Sequence, residues 1–260
     1  DAPSSPGSGS LHAFPRGAEA GTFLHDLLEW AARQGFAAVA ANRPLLRDTV
    51  ARRCDARGWA EWIDVLTAWI EHFLQTKLPF PADRQLPEAS FSLAGLRASI
   101  AEMEFWVEVH AVDTASIDRL VCAHTLAGAA RPMLQPGQLN GMLKGFIDLV
   151  FEHHGRYYVA DYKSNWLGPD DAAYTAEAMR AAILHSRYEL QYALYLLAVH
   201  RLLKLRLADY DYDRHVGGAV YLFLRGSRSP GQGVHHERPP RALIEALDAL
   251  FSSRTVGGSA

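Results

Sequence analysis

Two apolar runs, residues 143–151 and 156–163, flank His153-His154-Gly155 and constrain this chain more than any other feature of it. Both are short, rich in β-branched and aromatic residues, and bounded by turn formers, so they predict two strands of a hairpin. Into this apolar pair the chain sets two acids and an amine: Asp148 within Gly145-Phe146-Ile147-Asp148-Leu149, and Asp161 and Lys163 within Val159-Ala160-Asp161-Tyr162-Lys163. Alternate side chains of a strand share a face, so Asp161 and Lys163 point the same way. A four-residue loop, 153–156, puts Asp148 directly opposite Asp161. A two-residue loop is expected to shift the pairing by two and keep them on one face, and a three-residue loop without a bulge would split them.

Two carboxylates facing each other in an apolar strand pair repel each other and lose hydration, and they require a counter-charge. Lys163 supplies part of it. A hard divalent cation with oxygen ligands supplies the rest, and Mg²⁺ prefers such a site. An ion held there polarises a phosphate and acidifies a water, while the lysine holds that water or the developing negative charge. Phosphodiester hydrolysis is the chemistry this set suits. The plainer alternative is a buried Asp-Lys ion pair beside one turn-proximal Asp.

Around the hairpin the chain alternates in texture. Residues 1–16, rich in Pro, Ser and Gly at the start, read as a linker, and the chain as a segment of a longer protein. A helix opens at Gly21-Thr22 with Phe23, Leu24, Leu27, Leu28 and Ala31 on one face, and further helices are expected at 43–53 and 59–78, ended by Pro79 and Pro81. Strands follow at 91–96 and 102–109, a helix at 114–126, and a loop marked by Pro132, Pro136 and Gly137. After the hairpin come helices at 172–185 and 189–205, a strand at 218–224 and a helix at 241–251. This order predicts an α/β core sheet flanked by helices (86–260) with an N-terminal helical extension (17–85).

Composition narrows the function classes. The 260 residues, 49% hydrophobic, suffice for one sizeable core, and the net charge of -3 gives no global basic excess. Cys54 and Cys122 are far apart and form no C-x-x-C pair, which argues against zinc ribbons and disulfide frameworks and for a reduced, cytosolic setting. There is no apolar run long enough to span a bilayer, no basic region followed by an apolar stretch at the start, and no G-x-x-x-x-G-K-[ST] loop.

The segments Gly21-Thr22-Phe23-Leu24-His25, Glu102-Met103-Glu104-Phe105, Gly145-Phe146-Ile147-Asp148, Asp161-Tyr162-Lys163-Ser164-Asn165-Trp166-Leu167-Gly168, Gln191-Tyr192-Ala193-Leu194-Tyr195 and Tyr221-Leu222-Phe223-Leu224-Arg225-Gly226 occur in this order. Together they resemble the C-terminal nuclease domains of RecB-type subunits of bacterial RecBCD enzymes (exodeoxyribonuclease V). The likeness runs from about residue 21 to 251. It implies the restriction-endonuclease-like PD-(D/E)-x-K fold, with Ile147 standing where the superfamily's name has Pro. It implies Mg²⁺ held by His25, Asp148, Asp161 and the main-chain carbonyl of Tyr162, with Mn²⁺ as a substitute and Ca²⁺ as an inhibiting ion. It makes Lys163 the catalytic lysine, Glu104 an active-site acid, and Gln191 and Tyr195 a Q-x-x-x-Y pair beside the scissile strand.

The same likeness implies DNA processing at double-strand breaks for recombinational repair in the bacterial cytoplasm, at the nucleoid. The partners it implies are the RecC and RecD subunits, RecA, and a helicase motor elsewhere in the parent chain that feeds single strands to the site. Other readings stay open: a nuclease-like module that holds DNA or RecA without cutting, and a free-standing restriction-like endonuclease. Taken alone, His25 among Leu24, Leu27 and Leu28 is an ordinary helix histidine, and Glu102 shares a strand face with Glu104 and competes with it. Asp209, Asp211 and Asp213 lack the Gly and Glu of a calcium loop and read as a solvated loop. His153-His154 and His235-His236 lack zinc partners. Arg180, Arg187, Arg201, Lys204 and Arg206 either track a DNA backbone or form a solvated face.

Overall fold

The turn between the two central strands is two residues long, His154 and Gly155, both left-handed with φ of 51° and 76°. This is the backbone of a type I′ hairpin, whose twist matches that of the strands. The pairing runs from His153↔Arg156 to Leu149↔Ala160. Going from four loop residues to two takes one from each side, so the expected shift of the pairing by two does not occur. One step further, the same register sets Asp148 against Asp161.

The computed structural model describes residues 10–80 and 90–252. In chain order the elements are α1 (Ala18–Gln34), α2 (Phe36–Ala40), α3 (Arg43–Asp55), α4 (Ile63–Gln75), β1 (Leu78–Pro79), β2 (Ser90–Phe91), β3 (Ala98–Asp113), α5 (Thr114–His124), β4 (Gln138–His153), β5 (Arg156–Lys163), α6 (Ala176–Ser186), α7 (Tyr188–Arg206), α8 (Tyr212–His215), β6 (Val216–Phe223), β7 (Val234–Glu237) and α9 (Arg241–Ser252). Strands β3 to β7 form one sheet in that order, antiparallel except for the parallel β5–β6 pair. Helices α1 to α4 cover one face, against Leu149, Phe151, Tyr158, Ala160, Tyr162 and Leu222. Helices α5, α6, α7 and α9 cover the other, against Val107, Val150, Val159, Ala219, Tyr221 and Phe223. The expected α/β sheet flanked by helices is therefore present, and the N-terminal helical part is one of its two layers. Burial of Phe23, Leu24, Leu27 and Leu28 on α1 stabilises that layer by roughly 2 kcal/mol per side chain.

Several boundaries differ from the sequence-based expectation. Helix α1 begins at Ala18 rather than Gly21, because its N-cap is Gly17 with no capping side chain to mark it. The expected linker 1–16 ends sooner: Leu11 and Phe14 are buried, and residues 1–9 lie outside the described residues. Pro81 and the expected 85/86 boundary also lie outside them. Residues 91–96 do not continue as a strand, because the Ser92 hydroxyl accepts from the Gly95 amide and caps a 3-10 turn. The helix expected from 172 starts at Ala176, where Thr175 caps it. Strand β7, polar and only four residues long, gave no alternating pattern to read.

The β3–β4 ladder changes phase at two points, a bulge between Val109 and Val112 with Ala111 left-handed, and a break nearer the site. Met103, Phe105 and Val107 of β3 and Ile147 of β4 face the α7 side, and so does Val150, whereas Leu149 faces α1–α4. Glu102 and Asp148 sit at the break: neither is paired, and Glu102 has φ of 51°. A left-handed non-glycine residue in a strand is uncommon and strained, and here it re-aims the side chains of both strands around Asp148.

Candidate active site

Asp148 closes the ladder on its own. Its Oδ2 accepts the Tyr162 amide at 2.8 Å and lies 3.2 Å from His25 Nδ1. His25 is on the edge of the buried stripe of α1, its side chain 33% exposed. Burial pulls its pKa down, but the hydrogen bond and charge of Asp148 outweigh this and raise it. The main chain of Tyr162 and the His25 imidazole thus flank one acid.

Asp161 forms the other half of the site. It is 3% exposed, and its Oδ2 lies 2.5 Å from Lys163 Nζ. That contact is an ion pair without hydrogen-bond geometry, and Oδ2 has no hydrogen-bond partner. Burial, then the charge of Asp148, push the Asp161 carboxyl above its ordinary range despite Lys163. Lys163 Nζ also donates to Gln191 Oε1 at 2.9 Å and sits 3.8 Å from the centre of the Tyr188 ring. The Gln191 amide is fixed at both ends: Oε1 accepts from Tyr221 OH at 2.9 Å, and Nε2 donates to Tyr195 OH at 2.7 Å. Residues 191 and 195, four apart on α7, share the face that makes this possible.

Of the residues singled out from sequence, His25, Asp148, Asp161, Tyr162, Lys163, Gln191 and Tyr195 come together. Glu104 does not: its Oε1 accepts from Trp106 Nε1 at 2.6 Å and pairs with Lys144 Nζ at 3.1 Å on the exposed side of the hairpin. Glu102 is the acid beside Asp148. Burial and then the Asp148 and Glu29 charges raise its pKa, with His25 opposing. The strand break at Glu102 swaps the faces, which alternation alone does not reveal. Tyr188 and Tyr221 were not anticipated either. Tyr221 lies opposite Asp161 on β6, a pairing that no local pattern announces.

Among the described residues, no three His, Cys, Asp or Glu side chains stand close enough to form a preformed metal cluster. Asp148 is turned to His25 and the Tyr162 amide, and Asp161 to Lys163. The donor set nevertheless fits a hard divalent cation, because a buried acid that stays raised in pKa despite its lysine, with a second acid near it, is the arrangement such a charge relieves.

The remaining candidates are accounted for by local partners. Asp209 pairs with Arg214, Asp211 caps α8 and pairs with Arg241, and Asp213 pairs with Arg238. His153 and His236 both pack on Phe80, 5.8 Å between ring centres. Arg180 donates to the Leu126 carbonyl, Arg187 holds Asp118 and Glu189, and Arg201 and Lys204 hold Asp248. These four cations have partners within the fold, although Arg180 and Lys204 stay exposed, and Arg206 is exposed at the end of α7.

A model of the PD-(D/E)XK nuclease superfamily matches residues 10–255. The chain belongs to the PD-(D/E)XK nuclease superfamily. This nuclease domain is 44% identical over 251 residues to the RecBCD enzyme subunit RecB of Escherichia coli, covering 94% of this chain and 20% of that protein. It is 39% identical over 190 residues to RecB of Haemophilus influenzae (72% of this chain, 15% of that protein) and 33% identical over 287 residues to RecB of Mycobacterium tuberculosis (95% and 25%). The PD-(D/E)XK domain thus spans between about a seventh and a quarter of the length of these relatives, and the resemblance expected from its motifs is borne out. No helix among the described residues is long and apolar enough to cross a membrane.

Proposed function

We propose that this nuclease domain hydrolyses DNA phosphodiester bonds with a divalent cation, Mg²⁺ by preference, at the site between α1, the hairpin and α7. The observation that carries this is a buried acid, Asp161, whose carboxyl stays above its ordinary range through burial and the nearby Asp148 charge even with the Lys163 ammonium 2.5 Å from its Oδ2. Asp148, Asp161, His25 and the Tyr162 carbonyl would hold the ion. The imidazole also admits Mn²⁺, and Ca²⁺ would bind while supporting little cutting. When bound, the ion polarises the phosphodiester and acidifies a water.

The chain's own groups do the rest. Lys163 keeps its ammonium aimed by Gln191 and Tyr188, ready to hold the incoming oxygen or the charge that develops on the phosphate. Tyr195 accepts from Gln191, and burial raises its pKa, so it stays a neutral donor beside the strand. Glu102 takes the acid position that the family resemblance assigns to Glu104.

The similar RecB proteins are named as subunits of RecBCD enzymes. On that likeness, the chain is the nuclease module of such an enzyme, with RecC and RecD as partners. It would cut single strands that a helicase motor unwinds during double-strand break repair, with RecA loaded on the product, at the bacterial nucleoid. The test is incubation with linear single-stranded DNA, in Mg²⁺ and in EDTA, beside Asp161→Ala and Lys163→Ala. Cleavage is expected only in Mg²⁺ and only from the unmutated chain. Cutting that survives both substitutions overturns the assignment, and binding without cutting by the unmutated chain favours a module that only holds DNA.

A further inference from the structure

The guanidinium of Arg16 lies flat on the indole of Trp166, 3.6 Å from the ring centre. Arg16 is exposed, and Trp166 is 38% exposed. Among the described residues Arg16 forms no ion pair, in contrast to Arg187 and Arg201. Both halves of the pair are anchored to one buried side chain. Arg225, 2% exposed, donates to the carbonyls of Leu11, Phe14 and Pro15, immediately before Arg16, and to that of Ser164, two residues before Trp166. An exposed cation without an acid partner is thus held in a fixed orientation by deliberate anchoring on either side.

Its position relates it to the candidate active site. Trp166 lies three residues past Lys163. On α1, Gly21 packs against the Ser164 hydroxyl so closely that an added Cβ would stand 2.9 Å from it, and His25 is one turn further on, at Asp148. Arg16 lies just before α1, in which Ala18 and His25 are separated by roughly 10 Å at the helical rise, so the pair stands beyond that span from His25, a few nucleotides of a bound strand away. Stacking occupies the face of the guanidinium and leaves its in-plane N–H edge open, the edge that grips a phosphate in a fork.

We propose that Arg16, oriented by Trp166, binds a backbone phosphate of the DNA strand a few nucleotides from the bond that is cut. This rests on the nuclease reading above and adds to it a strand contact outside the metal and lysine machinery. Because a phosphate carries no base identity, the contact acts alike on every sequence.

The test is binding of a fluorescent single-stranded DNA oligonucleotide with Mg²⁺ in a Lys163→Ala background, across a salt series. Removing one phosphate contact lowers the slope of log K against log salt by about 0.7 for a single strand. Arg16→Ala is expected to show that loss of slope and to weaken binding roughly threefold to tenfold for all sequences tested. Arg16→Lys should keep the slope and lose part of the affinity. Trp166→Ala should add little on top of Arg16→Ala, since the two act as one unit. Thermal unfolding of each variant is measured alongside. Unchanged slope and affinity in Arg16→Ala, or a loss of affinity that tracks a lowered melting temperature, overturns the Arg16 inference alone. A background chain that binds no single-stranded DNA, or still cuts it, overturns the nuclease reading beneath it.

Discussion

Two groups of charged side chains are buried in this fold, and they are built on opposite principles. Beneath the start of α7, Arg187 reaches Asp118 at 2.6 Å and Glu189 at 2.5 Å, and Arg131 lies 3.5 Å from Glu189. The loop after α5 joins in: Thr125 and Ala129 accept from Arg131, Pro132 accepts from Arg187, and the Leu134 amide donates to Asp118. Burial raises the Asp118 pKa, but Arg187 more than compensates, and the net shift is downward. At the candidate active site the net shift of Asp161 is upward, because burial and then the Asp148 charge outweigh the single lysine beside it. A network with two arginines for its two acids holds structure in place, even with Glu189 Oε2 left without a hydrogen-bond partner. A cluster one positive charge short holds space for something that brings that charge.

The largest effect expected from this contrast is in the charge-balanced network. Arg187→Ala leaves Asp118 without its cation and Glu189 with Arg131 alone, and should cost about 3–5 kcal/mol in denaturant unfolding, a loss that removing one partner of a buried pair produces. A loss under about 1 kcal/mol would mean the network is not the structural clamp described here.

The next is a pH effect on the same side of the sheet. Burial, then the neighbouring His236 and Arg180 charges, push His235 down to about 4 from an ordinary 6.5. The unfolded chain therefore takes up a proton that the folded chain refuses. This contribution is complete above pH 6.5 and is lost as pH falls from 6.5 to about 4, by at most about 3 kcal/mol. His235→Phe should flatten that part of the stability profile, and an unchanged slope would contradict the assignment.

Smaller and of opposite sign is Asp161→Asn. Removing a charge that the folded state holds at a cost should raise stability by about 1 kcal/mol at pH 8 without divalent ions, while cleavage is lost. A destabilised variant would mean that Lys163 already satisfies Asp161. The smallest effect belongs to Glu104→Ala, which should leave cleavage within about twofold and stability within about 0.5 kcal/mol, since it breaks an exposed pair with Lys144. Glu102→Ala should reduce cleavage far more, and the reverse order would restore Glu104 to the site.

Asp161 and Lys163 were legible from local period, since strand alternation puts them on one face. His25, Gln191 and Tyr195 were legible only through the family resemblance, because an apolar stripe and a four-residue helical spacing taken alone mark ordinary packing. What stayed hidden depends on contacts between distant segments or on broken periods. The left-handed Glu102 reverses which acid faces Asp148, and no residue type announces it. The packed stretch 11–16 follows a Pro, Ser and Gly-rich start and is held by Arg225 from the far end of the chain, so composition alone marked it as linker. Sequence left the basic residues near α6 and α7 open between a track and a solvated face, because Asp118, the partner of Arg187, and Asp248, the partner of Arg201, lie dozens of residues away on other elements.

Unfolding of the unmutated chain with and without Mg²⁺ at pH 8, beside Asp148→Ala, tests the missing charge most directly. An ion that binds only the folded state at a hundredfold excess over its Kd should stabilise the unmutated chain by about 2.7 kcal/mol and leave the variant unchanged. Equal stabilisation of both chains, or none in either, would contradict the account.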